Sequence, residues 1–121
     1  MILVKLDHLL FKANGYNTVF TNRLDTELAS DTTCRLGKWY NNGVGKEIFS
    51  KTSSYSKLAH PHKEVHDNIH KAIQCVKDGT CVEEATNVKT YFNQAQKASK
   101  EVSDILSKML NEEKNSRHAN P

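Results

Sequence analysis

The chain has 121 residues, 37% of them hydrophobic and 26% charged, with two prolines and five glycines; that excludes disordered and collagen-like classes and describes one compact helical domain. A globule of this size buries roughly two thirds of the surface its unfolded chain exposes, so no disulfide is expected to be needed for folding. The net charge of +3 comes from 17 basic and 14 acidic residues dispersed along the sequence, without the basic stripe of a nucleic-acid binder.

No run approaches the roughly 18 uninterrupted apolar residues of a membrane span. Lys5, Asp7, His8 and Lys12 break up the apolar start, so neither a membrane anchor nor a secretory signal is expected. Over residues 2–28, Leu3, Leu6, Leu10, Ala13, Phe20, Leu24 and Leu28 recur at helical spacing, which predicts a first amphipathic helix. Val4, His8, Phe11 and Gly15 fall on the opposite side of that helix, giving its first half a second face with the character of a buried one.

From Ser30 to Leu58 the period weakens at Gly37, Gly43 and Gly45, and Ser53, Ser54 and Ser56 make the end polar. Short helical turns joined by loops are expected there, with Cys34, Leu36, Trp39 and Tyr40 on one short helix. Pro61 suits the first turn of a new helix and Gly79 the position just past its end, framing a helix over 62–77. The longest helix is predicted from Val82 to about Glu113, where Val88, Tyr91, Ala95, Ala98, Val102, Ile105 and Met109 alternate spacings of three and four. Residues 1–113 therefore read as one all-α domain and 114–121 as a frayed tail. Phe92, Leu106 and Leu110 widen the last helix's apolar stripe, either to form a homodimer seam or to complete the chain's own core.

Six histidines and three cysteines carry the chemistry. His62 and His66 are one helical turn apart, so their imidazoles can reach one metal ion; His66 and His70 share that spacing. Val65, Ile69, Ile73 and Val76 define the inward face, with His62 within about 30° of its centre and His70 roughly 100° away. That selects His62 and His66 as the buried pair. Taken alone, two histidines four apart are weak evidence for a metal, and a mix of core and surface histidines accounts for them better. His8, however, lies on the second face of helix 1 beside Phe11, where an imidazole needs a partner. Cys34 opens the one segment with a tryptophan, and three imidazoles with one thiolate complete a tetrahedral zinc site. An odd cysteine count at irregular spacing argues against a secreted disulfide framework and for a reducing cytoplasm. Cys75 and Cys81 then read as ordinary thiols, Cys75 off the inward face and exposed in part or at an interface.

His8-Leu-Leu-Phe11, 22 residues, Cys34-Arg-Leu36-Gly37-Lys-Trp39, 22 more, and His62-Lys-Glu-Val-His66 together resemble the chemoreceptor zinc-binding (CZB) family of bacterial soluble chemoreceptors and diguanylate cyclases. The resemblance implies an antiparallel four-helix bundle with an additional short helix bearing the cysteine motif. It also implies one zinc ion per chain held by His8, Cys34, His62 and His66. Leu36, Gly37 and Trp39 match the packing part of the cysteine motif. Asp7 precedes His8 as in the family and is either a support for it or an ordinary exposed carboxylate. No methyl-accepting hairpin, cyclase motif or PAS-like segment is present, so an excised domain or a stand-alone member is expected, serving a fused or bound signalling module.

Four protein ligands leave no open coordination position, so the expected role is sensory or structural and not enzymatic. A metal-bound Cys34 is a thiolate, the form oxidants attack, and the resemblance implies hypochlorous acid or zinc itself as the signal. The alternative is a structural zinc clamp in a dimerisation or localisation module. A metal–oxygen four-helix bundle is a third class, but it would need repeated Glu-x-x-His ligands that the chain lacks.

Overall fold

A computed structural model describes residues 11–15, 17–19 and 34–119, with only the backbone described for the last two. Among the described residues all regular structure is helical. Helical backbone at 11–15 and 17–19 forms α1; α2 is Arg35–Asn42, α3 is Val44–Phe49, a 3-10 turn spans Tyr55–Lys57, α4 is Ala59–Asp78 and α5 is Ala85–Ala119. The rest of the predicted first helix lies outside the described residues.

The frame is the antiparallel α4–α5 hairpin. Pro61 sits in the first turn of α4, where its missing N–H forfeits no helical bond. Gly79 caps the other end in the left-handed conformation, φ 68°, which an L-side chain rarely adopts. Its N–H donates to the Cys75 carbonyl, and Thr80 N–H reaches the same oxygen at 2.9 Å. Val65, Ile69 and Ile73 of α4 meet Ala95, Ala98, Val102, Leu106 and Met109 of α5 in a core that also takes Phe11, Leu36, Tyr40, Phe49 and Leu58.

α1 touches both long helices. Gly15 lies so close to α4 that a Cβ there would sit 2.6 Å from Ile69 Cγ2. Lys12, almost fully buried, extends its Nζ to Gln96 Oε1 of α5 at 3.1 Å; burial pushes its amine below the usual lysine range. In the α2–α3 corner the Trp39 ring lies against Gly45, where a Cβ would meet the ring at 2.5 Å.

Three expectations are corrected. α5 starts at Ala85, because residues 80–84 form a turn in which Glu84 N–H donates to Thr80 O and Thr80 Oγ1 to Glu84 Oε2. It then continues through Ala119 where a frayed tail was expected over 114–121, and an Arg117–Glu113 ion pair at 2.9 Å spans one turn of that end. Such pairs one turn apart support a polar helical end.

The third correction concerns the cysteines: Cys75 and Cys81 are joined in a disulfide. The left-handed turn at Gly79 folds the chain back and brings their Cα atoms to 4.7 Å, within reach of a bridge. Cys75 is buried, 1% exposed, in a small second core with Ala72 and Val88, against which Val19, Tyr91 and Phe92 pack. α4 is thus covered on two sides, and one inward face understates its burial. The widened stripe of α5 is used within the chain, since Leu106 is fully buried and Phe92 and Leu110 pack against the same core.

Candidate metal centre

The N-terminal half of α4 carries His62 and His66 inward, 4% and 1% exposed. His60, by contrast, points to solvent beside Glu64, and His70 is half-buried, its ring 6.1 Å from that of Phe11. The periodicity argument therefore selected the pair that the fold buries. Their Nε2 atoms are 3.1 Å apart, with the rings edge to face.

Cys34 approaches from α2. It is the N-cap of that helix, and its Sγ accepts the Gly37 N–H at 3.4 Å while lying 3.2 Å from His62 Nε2. The ligand atoms of Cys34, His62 and His66 all lie within 4.8 Å of one another. An imidazole nitrogen has one lone pair or one N–H, so His62 Nε2 cannot make a full hydrogen bond to both neighbours. A single cation between them serves all three donors at once. With zinc about 2.0 Å from nitrogen and 2.3 Å from sulfur in tetrahedral geometry, the edges would be about 3.3 and 3.5 Å. The two edges at His62, 3.1 and 3.2 Å, need only a few tenths of an ångström of expansion, while the Cys34–His66 edge, bounded by 4.8 Å, closes as the two side chains turn onto a shared ion, so the three residues are close enough to hold zinc.

The surroundings are apolar on one side and clasped on the other. The Phe11 ring lies 4.1 Å from that of His66, which excludes water from that imidazole. Leu36 is 1% exposed, Gly37 is buried, and Trp39 packs partly buried against the core with its ring 5.7 Å from that of Phe49. His8 and Asp7 lie outside the described residues.

Two arrangements that fix α2 had no sequence signal. Tyr40 on α2 and Tyr55 stack at 4.2 Å and exchange hydrogen bonds: Tyr40 Oη donates to Tyr55 O at 2.7 Å and Tyr55 Oη donates to Tyr40 O. Burial holds both phenols above their usual range, with Tyr55 adding to the shift at Tyr40. One residue upstream, Glu112 of α5 accepts from Ser53 Oγ at 2.6 Å, from Ser54 N–H at 3.0 Å and from Ser54 Oγ at 3.0 Å. These bonds, the Ser53 hydroxyl foremost, hold its carboxyl below the usual range. The partners are 58 or 59 residues apart, beyond any local pattern.

No curated protein and no solved structure matches the chain. The family model described as the chemoreceptor zinc-binding domain matches residues 8–73, more than half of the chain and the stretch that holds all three donors. The chain belongs to the chemoreceptor zinc-binding domain family.

Proposed function

We propose that the chain is a zinc-binding sensory module of chemotaxis-type signal transduction, holding one zinc ion through His8, Cys34, His62 and His66. The observation that carries this reading is the convergence of Cys34, His62 and His66 within 4.8 Å in a chain of this family. His8 is the fourth donor of the reading. It stands three residues before Phe11 in the sequence, and the Phe11 ring lies on that of His66. With no coordination position left open, the module has no catalytic task. Its output passes to a fused or bound signalling module in the cytoplasm; among the described residues no helix is long and apolar enough to cross a membrane.

Bound zinc holds Cys34 as the thiolate at neutral pH. The thiolate attacks hypochlorous acid at chlorine and hydroxide leaves with the electron pair; water then displaces chloride from the resulting sulfenyl chloride, a proton is lost, and Cys34 becomes a sulfenic acid. Because the sulfur also caps α2 through Gly37 N–H, its oxidation weakens the start of that helix as well as its donation toward the histidines. The helix then shifts against α1 and α4, a two-state packing change of the kind switches require.

Metal analysis of the purified chain tests the reading. One zinc per chain is expected, with binding weakened but retained in Cys34→Ser and lost in His66→Ala; a wild-type chain that binds no zinc would refute it. A structural clamp is the second reading, favoured by the Tyr55 and Glu112 bonds that tie α2 and its neighbouring turn in place. It predicts that Cys34 in the zinc form reacts with hypochlorous acid no faster than a free thiol shielded to the same degree, whereas a sensor reacts faster and loses zinc as it does.

A further inference from the structure

The hairpin end of the molecule carries a second sulfur chemistry. Cys75 lies nine residues beyond His66 on α4, about 13 Å along the helix axis at 1.5 Å per residue, so it does not reach the metal donors. It is bonded to Cys81 across the six-residue interval that contains the Gly79 cap.

The two sulfurs are in unequal surroundings. Cys75 is 1% exposed beneath Ala72 and Val88, while Cys81 is half-buried in a turn whose next residue, Val82, is 87% exposed. The turn also has bonds of its own. Gly79 and Thr80 N–H groups both hold the Cys75 carbonyl, and Thr80 and Glu84 bond each other through backbone and side chain. Opening the bridge therefore leaves the two thiols facing each other across a turn that persists, which favours re-closure over scrambling. Bridges closed and opened within an intact fold are the ones that act as redox couples.

We infer that Cys75 and Cys81 form a second redox site, a reversible two-electron dithiol–disulfide couple that locks the α4–α5 turn and exchanges with small thiols and hydroperoxides through Cys81. In reduction, a thiolate attacks Cys81 Sγ, the S–S bond breaks, and Cys75 leaves with the electron pair and takes a proton. A second thiol then attacks the mixed disulfide at its own sulfur, and Cys81 leaves as a thiol while the two small thiols depart as their disulfide. In oxidation, the Cys81 thiolate attacks a hydroperoxide and becomes a sulfenic acid as the O–O bond breaks and an alcohol or water leaves. Cys75 then attacks that sulfur, forming the bridge and releasing water. None of these steps involves Cys34.

The test uses the zinc-loaded full chain, with each cysteine followed separately by peptide mass spectrometry. Under non-denaturing conditions millimolar glutathione is expected to place its adduct on Cys81, then to free both thiols, and hydrogen peroxide to restore the bridge. Alkylation by iodoacetamide is expected to be at least tenfold faster at Cys81 in Cys75→Ala than at Cys75 in Cys81→Ala, with helicity by circular dichroism confirming that both variants fold. A bridge that opens only in denaturant, an adduct on Cys75, equal alkylation rates, or thiols that peroxide does not re-close would each overturn the inference. None of these results touches the zinc reading, which rests on other residues.

Discussion

Replacing Gly15 by alanine sets two effects of opposite sign against each other. In an unconstrained helix interior the change stabilises by about 1 kcal/mol, because alanine loses less backbone freedom on folding. Here the new Cβ would sit 2.6 Å from Ile69 Cγ2, about 0.8 Å inside the 3.4 Å at which ordinary contact begins. Ile69 is fully buried and β-branched, with one strongly preferred rotamer in a helix, so it does not swing aside. The helices must separate, and overpacking of this kind costs about 1–3 kcal/mol. The net is a loss of about 1 kcal/mol, or about 4 °C in Tm for a domain of this length. The same movement lifts Phe11, one turn earlier on α1, from its place 4.1 Å from the His66 ring, so zinc affinity falls as well. Urea unfolding of the metal-free chain gives the stability change and a competing chelator gives the affinity. Ile69→Leu, which lacks Cγ2, is expected to recover about 1 kcal/mol in the double variant. A stabilised Gly15→Ala, or additive effects in the pair, would refute the close packing of α1 on α4.

Other consequences can be measured as directly. Zinc affinity falls as the pH drops from neutral to about 5, because imidazoles and thiolate must be deprotonated to bind; a flat profile in isothermal titration would exclude this donor set. Glu112 has a folded-state pKa below its unfolded value, so its contribution is present above the unfolded carboxylate value of about 4.3 and is lost as the pH falls through the folded value. Glu112→Gln should therefore flatten the acid limb of the stability–pH curve, and an unchanged limb would count against the Ser53–Ser54 clasp. Tyr55→Phe removes the hydroxyl that donates to Tyr40 O and is expected to lower stability by about 1 kcal/mol, read from the denaturation midpoint. Changing Cys75 and Cys81 together to serine releases a loop of about seven residues, worth about 2 kcal/mol in the chain-entropy account; a drop in Tm of about 8 °C is expected, and none would mean that the bridge adds no constraint.

Local periodicity made much of the site legible. Val65, Ile69 and Ile73 repeat at three and four, and that alone places His62 and His66 inward, as observed. The run around Cys34 is short, but its glycines and tryptophan marked it as tightly packed, and Cys34 does open α2 beside the histidines. What periodicity missed depended on contacts between distant parts of the chain. Cys75 was read from one helix face, yet α1 and α5 cover α4 from two directions. A glycine cap lying between two cysteines was a usable sign of a bridge, because a left-handed turn reverses the chain; the odd cysteine count drew attention away from it. Composition predicted fraying after Glu113, but the Arg117–Glu113 pair spans that end one turn apart, a spacing that composition ignores. The Tyr40–Tyr55 exchange and the Glu112 clasp join residues 15 to 59 positions apart and leave no trace in any window.

The unequal lengths of the two long helices give α5 a mechanical role. At 1.5 Å per residue α4 is about 30 Å long and α5 about 52 Å, so in the antiparallel hairpin about the far two fifths of α5 runs on past the start of α4. Glu112 lies on that overhang and grips the turn at Ser53 and Ser54; the next residue, Tyr55, is bonded to Tyr40, and Tyr40 shares α2 with the cap at Cys34. Directional bonds resist slip where greasy seams allow it. The C-terminal part of α5 is thus joined to the sulfur by a short series of directional bonds, so that a displacement of Cys34 is expected to be felt at Glu112.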